Sequence, residues 1–247
     1  MTLESDTNHA ENVRHMFTRI ANRYDLLNRL MTLGQDHRWR RETIRSLQLL
    51  PNDWLLDVGT GTGDLAFEAL TQEEHLHIVA CDFTSAMIRL GQVRPEGQDI
   101  LWIIADAQAL PFRHNAFNAV VSGFLLRNVE DVNYSLAEQT RILKRGGRIA
   151  SLDTTPPAPG PFQALVHLYL RWIIPALGRW IAGDERAYRY LPDTTQAFIP
   201  APELAQIFQT SGFSDVGFIQ RMLGTIAIHW GVKKTDKTHA GRSIETS

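Results

Sequence analysis

The chain has 247 residues, 44% of them hydrophobic and 21% charged, which suits one large α/β domain with a substantial core and gives no sign of disorder. Its 25 basic and 27 acidic side chains leave a formal net charge of −2, so the basic excess usual in nucleic-acid binders is missing and no nucleic-acid partner is expected. The single cysteine, Cys81, excludes an internal disulfide and fits a reducing, cytoplasmic compartment.

Met1 to Asn12 is polar and acidic, so no secretory or transit leader is expected there. Val13, Met16, Phe17 and Ile20 then stand at i, i+3, i+4 and i+7, the spacing of one apolar helix face. Leu26, Leu27, Leu30 and Leu33 carry the pattern towards Gly34, and a basic helix from His37 to Arg45 follows with Trp39 and Ile44 as its apolar members. Residues 1–50 therefore read as an N-terminal helical cap.

From residue 53 short apolar runs alternate with polar helical stretches, the texture of βαβ units and a parallel sheet. The predicted strands are Trp54 to Val58, His77 to Cys81, Ile100 to Ile104, Ala119 to Ser122 and Arg148 to Leu152. Between the last two, Leu136 and Leu143 anchor a helix that Gly146-Gly147 should stop, because glycine tolerates a left-handed cap. Phe162 to Ala182 has membrane-spanning length, but His167, Arg171 and Arg179 interrupt it and Pro175 sits inside it, so it reads as a lid or docking helix pair. The charged residues recur along one side of a helix, leaving an apolar remainder for a tunnel or a peripheral membrane contact. Pro202 opens a helix with Leu204, Ile207 and Phe208 inward and Gly212 closes it. Val216 to Met222 and Thr225 to Val232, joined at Gly224, should pair as an antiparallel hairpin.

The expected architecture is a doubly wound, seven-stranded, mostly parallel α/β sheet with a C-terminal antiparallel hairpin, the Rossmann-like plan of class I methyltransferases. It should span residues 51–233 with a lid insertion at about 157–200, and residues 234–247 should form a tail.

Asp57-Val58-Gly59-Thr60-Gly61-Thr62-Gly63-Asp64 leaves the first strand. Its alternating glycines remove Cβ atoms where the chain turns tightly and where a flat ligand lies on bare backbone. A dinucleotide fingerprint would need a third glycine where Asp64 stands, so the spacing fails for NAD. Asp57 and Asp64 would also repel a pyrophosphate while suiting an ammonium or sulfonium group. The second strand ends in Asp82-Phe83, with Asp82 placed to accept both ribose hydroxyls. The third ends in Asp106-Ala107, where a carboxylate can accept from an adenine amine and a backbone amide can meet the ring. Taken in order at successive strand ends, these residues describe one adenosine. No cluster of histidine, cysteine and carboxylates has metal-ligand spacing, so no metal is expected.

On these residues the chain resembles the UbiE/MenG/Coq5 family of quinone-biosynthesis C-methyltransferases. The likeness covers Phe17 to Asn28 around Tyr24-Asp25, the loop Asp57 to Asp64, the run Ala105 to Phe112, and Leu126-Arg127-Asn128-Val129. Tyr188 to Leu191 and Gly224 to His229 agree with it as well. The resemblance implies S-adenosylmethionine as cofactor, with Thr62, Asp82, Asp106, Ala107 and the residue at 123 as contacts, and a polyprenylated quinol as substrate. Two positions depart from the pattern, since Asp106 replaces an asparagine and Gly123 a serine, with Ser122 one residue earlier.

A sulfonium methyl is already activated, so the protein must align it and strengthen a ring carbon by favouring the neighbouring phenolate. Arg127 is a poor base but can stabilise that phenolate, with Asn128 orienting the hydroxyl and Tyr24 reaching in from the cap. His37 is a weaker candidate base. Other readings are a methyltransferase for a different small phenol, a nicotinamide-dependent oxidoreductase, and a non-catalytic binding module. A homodimer also remains open.

Overall fold

The computed structural model describes residues 34–157 and 197–235, with Thr18, Arg29, Thr32 and Thr194 besides. The expectations for Tyr24, for the helix face at 13–20, for the segment 162–182, for Tyr188 to Leu191 and for most of the tail lie outside the described residues.

Helix α1 (Asp36–Leu47) buries Trp39, Thr43, Ile44 and Leu47 along its inner face. It is followed by β1 (Trp54–Val58), α2 (Asp64–Gln72), β2 (His77–Asp82), α3 (Ser85–Gln92), a 3-10 turn at Pro95–Asp99, β3 (Leu101–Ile104), β4 (Phe117–Gly123), α4 (Val132–Ile142) and β5 (Leu143–Thr154). Further along the chain come α5 (Ala201–Thr210), β6 (Phe213–Arg221) and β7 (Ile226–Lys233).

Seven strands form one sheet in the order β3-β2-β1-β4-β5-β7-β6. β1 pairs in parallel with both β2 and β4, so the strand order reverses between β1 and β4. That switch point is where an open α/β sheet leaves a crevice at its carboxyl edge. β7 is antiparallel to both of its neighbours and lies between β5 and β6. The predicted hairpin therefore exists, and its second strand inserts into the sheet.

The two faces of the sheet carry separate cores. Leu56, Val58, Cys81 and Val120 pack with Leu136 of α4 and with Leu204 and Phe208 of α5. Leu55, Ile78, Ala80 and Val121 pack instead with Leu65 and Phe67 of α2 and with Ile44 and Leu47 of α1. The near-continuous burial of β1 and β2 is what a strand covered on both faces requires.

The largest departure from the predicted boundaries is at β5. The helix after β4 ends at Ile142, and β5 already begins at Leu143, so Gly146-Gly147 lies inside a strand instead of capping a helix. The pairing of β4 with β5 shifts register there, from Phe117 opposite Leu143 to Ala119 opposite Arg148. A Cβ on Gly147 would fall 2.8 Å from the Lys144 carbonyl oxygen and 2.9 Å from that of Asn118. The glycines thus serve a bulge, where backbone approaches backbone too closely for a side chain.

Candidate active site

A cleft opens at the switch point, walled on one side by the glycine loop and the ends of β2 and β3, and on the other by the segment after β4. Gly59 and Gly61 form its floor, with φ of +66° and +58°. Nothing lies within 4 Å of where a Gly61 Cβ would be, so the bare backbone there faces open space. At Gly59 a Cβ would meet Leu125 at 2.7 Å.

Asp82 ends β2 at the lip of this floor. Its Oδ2 accepts from the Gly61 amide at 2.8 Å and its Oδ1 from the Thr84 amide at 2.7 Å. Burial raises its pKa, while these two amides and the Thr84 hydroxyl pull it back down. The carboxylate thus clamps the loop, and with three donors on its two oxygens it keeps room for a further donor such as a ribose hydroxyl. Phe83 and Met87 supply apolar surface beside it, and Asp106 and Ala107, just beyond β3, line the same wall. Asp106 Oδ1 accepts from the Gln108 amide at 2.8 Å, which fixes its rotamer at the end of β3.

Four residues predicted to contact the cofactor are not among those lining the cleft. Asp57 lies fully buried beneath the loop, where Oδ2 accepts from the Thr60 hydroxyl at 2.7 Å and from the Ala66 amide at 3.2 Å. Its Oδ1 has no partner, and burial pushes its pKa up to about 7. Gly63 caps α2 with φ +94°, and a Cβ there would meet the Trp102 ring at 2.6 Å and Phe67 at 2.9 Å, so its role is close packing. Ser122 is wholly buried and donates to Ser151 Oγ at 3.3 Å, inside the sheet. Thr62 is buried and outside the cleft lining. Gly123 does line it, and a Cβ at that position would sit 2.8 Å from Leu65, so a serine would displace that leucine.

Asp64, expected to face the ligand as a charge, is engaged elsewhere. Its two oxygens are taken by Arg40 Nη2 at 2.9 Å and Arg94 Nη1 at 2.8 Å. The loop's negative potential therefore comes from Asp82 and from whatever fraction of Asp57 is ionised. Neither partner was visible in the spacing, because one precedes Asp64 by a helix and the other follows it by a βα unit.

On the opposite wall, Phe124 adopts φ +55° and begins the turn that carries Leu126-Arg127-Asn128-Val129. Asn128 lines the cleft and donates through Nδ2 to the Phe124 carbonyl at 2.7 Å. Arg127 is buried outside the cleft lining, with Nη1 2.7 Å from Asp153 Oδ1 and its guanidinium carbon 4.8 Å above the Phe124 ring. Arg127 Nε is buried with no partner. Asp153, at the end of β5 and outside the cleft lining, is the partner of Arg127 that the sequence reading missed; only its position at a strand end could have drawn attention to it. His37 is exposed on α1 with Nε2 2.6 Å from the Arg29 guanidinium nitrogen Nη2, and it is not among the residues lining the cleft.

A family model described as the ubiE/COQ5 methyltransferase family matches residues 4–233. The chain belongs to this family. Among relatives, a ubiquinone/menaquinone biosynthesis C-methyltransferase of Desulfotalea psychrophila is 47% identical, with 90% of each chain covered. A demethylmenaquinone methyltransferase of Thermus thermophilus is 41% identical over 87% of this chain and 99% of its own. Solved structures with the same fold include the [4+2]-cyclase SpnF, at TM-score 0.67 and 16% identity over 91% of this chain and 97% of that one. Another is an S-adenosylmethionine-dependent methyltransferase of Thermotoga maritima, at TM-score 0.61 and 18% identity over 89% and 99%. A cyclase on the same scaffold shows that the fold alone does not choose the reaction. The methyltransferase assignment therefore rests on family membership.

The residues present fit S-adenosylmethionine. Bare backbone at Gly61, a clamped carboxylate at the β2 end, apolar faces from Phe83 and Met87, and a fixed carboxylate beside Ala107 supply the complement of an adenosine bearing an amino acid. No helix among the described residues is long and apolar enough to cross a membrane, and no group of three or more His, Cys, Asp or Glu among them could hold a metal ion.

Proposed function

We propose that this methyltransferase moves the methyl group of S-adenosylmethionine to a ring carbon of a polyprenylated quinol, and that the acceptor is a demethylmenaquinol. The observation that carries the reading is the placing of Asn128 in the cleft lining, next in the chain to the buried Arg127–Asp153 pair. The names of relatives covering nine-tenths of the chain point to the same acceptor class.

Bound at the glycine floor, the cofactor supplies an electrophilic methyl group. The chain's own residues do the rest. Asp82 is the ribose ligand, while Asp106 and the Ala107 amide read the adenine edge. Gly59 and Gly61 would leave the floor free of side chains for the methionine portion, while Gly123 gives close packing against Leu65. Asn128 orients the ring hydroxyl. Arg127 favours its phenolate form, and because Asp153 balances the guanidinium, the stabilisation is that of an oriented dipole rather than of a bare cation. Tyr24 remains a candidate from the cap, and the segment 162–182 a candidate for the prenyl chain and for contact with a membrane surface.

The test is product mass spectrometry after incubating the chain with S-adenosylmethionine and, in parallel, short-prenyl demethylmenaquinol, the corresponding benzoquinol and a simple phenol. A methylated naphthoquinol as the main product supports the reading. Methylation of the simple phenol alone would sink it.

A further inference from the structure

The two walls of the cleft belong to different parts of the sheet, and consecutive residues of α1 pack on the elements that carry them. Trp39 is wholly buried with Leu152, Ile226 and Ile228, in a cluster against which Phe124 of the acceptor wall packs. Arg40 turns to the other wall. Its Nη1 is 2.9 Å from Asp36 Oδ2 and its Nη2 2.9 Å from Asp64 Oδ2, on the first residue of α2 just beyond the glycine loop. Asp36 Oδ1 accepts from the Thr32 hydroxyl at 3.0 Å, and Asp64 Oδ1 takes Arg94, whose guanidinium lies 4.4 Å over Phe67.

The arrangement is costly to bury, with the Arg40 side chain 8% exposed and that of Asp36 3%. Desolvating such a pair offsets most of its attraction, so its presence is poorly explained by stability alone. What a planar guanidinium adds is register, because its fork fixes the direction of both carboxylates at once. The mechanism proposed above uses none of Arg40, Asp36 or Asp64.

We infer that Arg40 is a positioning residue that couples occupancy of the cofactor loop to α1, and through Trp39 to the Phe124 wall. A cofactor seated on the loop fixes the start of α2; Asp64 then holds Arg40, Arg40 holds α1, and α1 steadies the wall against which the acceptor is turned. The inference rests on assigning the glycine floor to S-adenosylmethionine and is independent of the acceptor's identity.

Hydrogen exchange read by mass spectrometry on the full chain, with and without S-adenosylhomocysteine, tests it. In the wild type the ligand should slow exchange both in the loop at 59–63 and in α1, the latter by about fivefold or more, the range of ordinary coupling energies. In Arg40→Met the loop should still be protected while α1 loses its ligand-dependent protection. Arg40→Lys, which keeps the charge without the fork, should fall between them, and it carries the same comparison should Arg40→Met fail to fold. Asp36→Asn, which weakens only the α1 end, should behave as Arg40→Met does. A purely structural Arg40 would give faster exchange in α1 with the ligand-dependent slowing intact, and that result overturns the inference. So does a wild type in which the loop is protected and α1 is not. Absence of protection anywhere would remove the cofactor assignment and the inference with it, whereas failure to methylate a quinol would leave both standing.

Discussion

Arg127 Nη1 lies 2.7 Å from Asp153 Oδ1, and the two side chains are 4% and 1% exposed. The contact joins the turn after β4 to the end of β5, so a residue assigned to the chemistry is also half of a buried ion pair. Truncating one partner leaves the other's charge uncompensated, which typically costs about 3–5 kcal/mol. Arg127→Ala should therefore lower both stability and turnover, and activity alone cannot separate the two roles. The double variant Arg127→Leu with Asp153→Leu should regain much of the stability in urea titrations while kcat and kcat/KM stay low together. A stable double variant with near wild-type kcat would remove Arg127 from the mechanism.

Asp82 holds two backbone amides in addition to its assigned ribose contact. Losing a charge-assisted pair of this kind is worth on the order of 1.5–3 kcal/mol. Calorimetric titration of Asp82→Ala should show S-adenosylmethionine affinity lower by about tenfold or more, with quinol affinity changed much less. Unchanged cofactor affinity would take Asp82 out of the site.

The loop glycines should separate into two kinds. Gly61 has a positive φ and open space where its Cβ would go, so Gly61→Ala should cost about 1–2 kcal/mol of backbone strain and should weaken cofactor binding more than it lowers Tm. Gly63 abuts Trp102 and Phe67, so Gly63→Ala should lower Tm more than it weakens binding in whatever protein remains folded. The same order of effects for both variants would contradict the division between floor and packing glycines.

Two buried groups tilt the pH dependence of stability in opposite directions. Asp57 is raised by burial from 3.8 to about 7, so the folded state holds more protons than the unfolded one across that interval, and its contribution declines as pH rises through it. His229 is lowered by burial from 6.5 to about 4, partly restored by its bond to the Ala201 carbonyl, so its contribution is present above pH 6.5 and declines as pH falls towards 4. Relative to wild type, Asp57→Asn should become more stable as pH rises from 4 to 8, by on the order of 4 kcal/mol at most at 1.36 kcal/mol per unit. His229→Gln should lose less stability than wild type when the pH is taken from 7 to 4. Denaturation curves that stay parallel to wild type across this range would refute either assignment.

Much of the fold was legible because its signals are local. β1 runs from Trp54 to Val58 as its apolar pattern indicates, and most other strands differ by one to three residues at their ends. β5 differs more, because at Gly146-Gly147 two opposite uses of glycine, helix cap and strand bulge, look alike until the partner strand is known. In the site, the residues on bare strand ends were legible: Gly59, Gly61, Asp82, Asp106 and Ala107 all line the cleft. What the sequence could not disclose was neutralisation at a distance. Asp64 looks like a free carboxylate until Arg40 and Arg94 are seen on it, and Arg127 looks like a free cation until Asp153 is.

The insertion of β7 between β5 and β6 has a consequence for how the chain must be made. The strand that completes the interior of the sheet consists of residues 226–233. A nascent chain that has already emitted β5 still presents an open edge of unpaired amides and carbonyls, the kind of template on which another chain can add. Synthesis from the N-terminus therefore cannot seal the sheet until its last strand has cleared the ribosome, since pairing β5 with β7 closes a long loop that slows folding. A chain cut short before Ile226 would keep its glycine loop yet expose that edge permanently, and such fragments should appear in inclusion bodies or be degraded rather than accumulate as a weak enzyme.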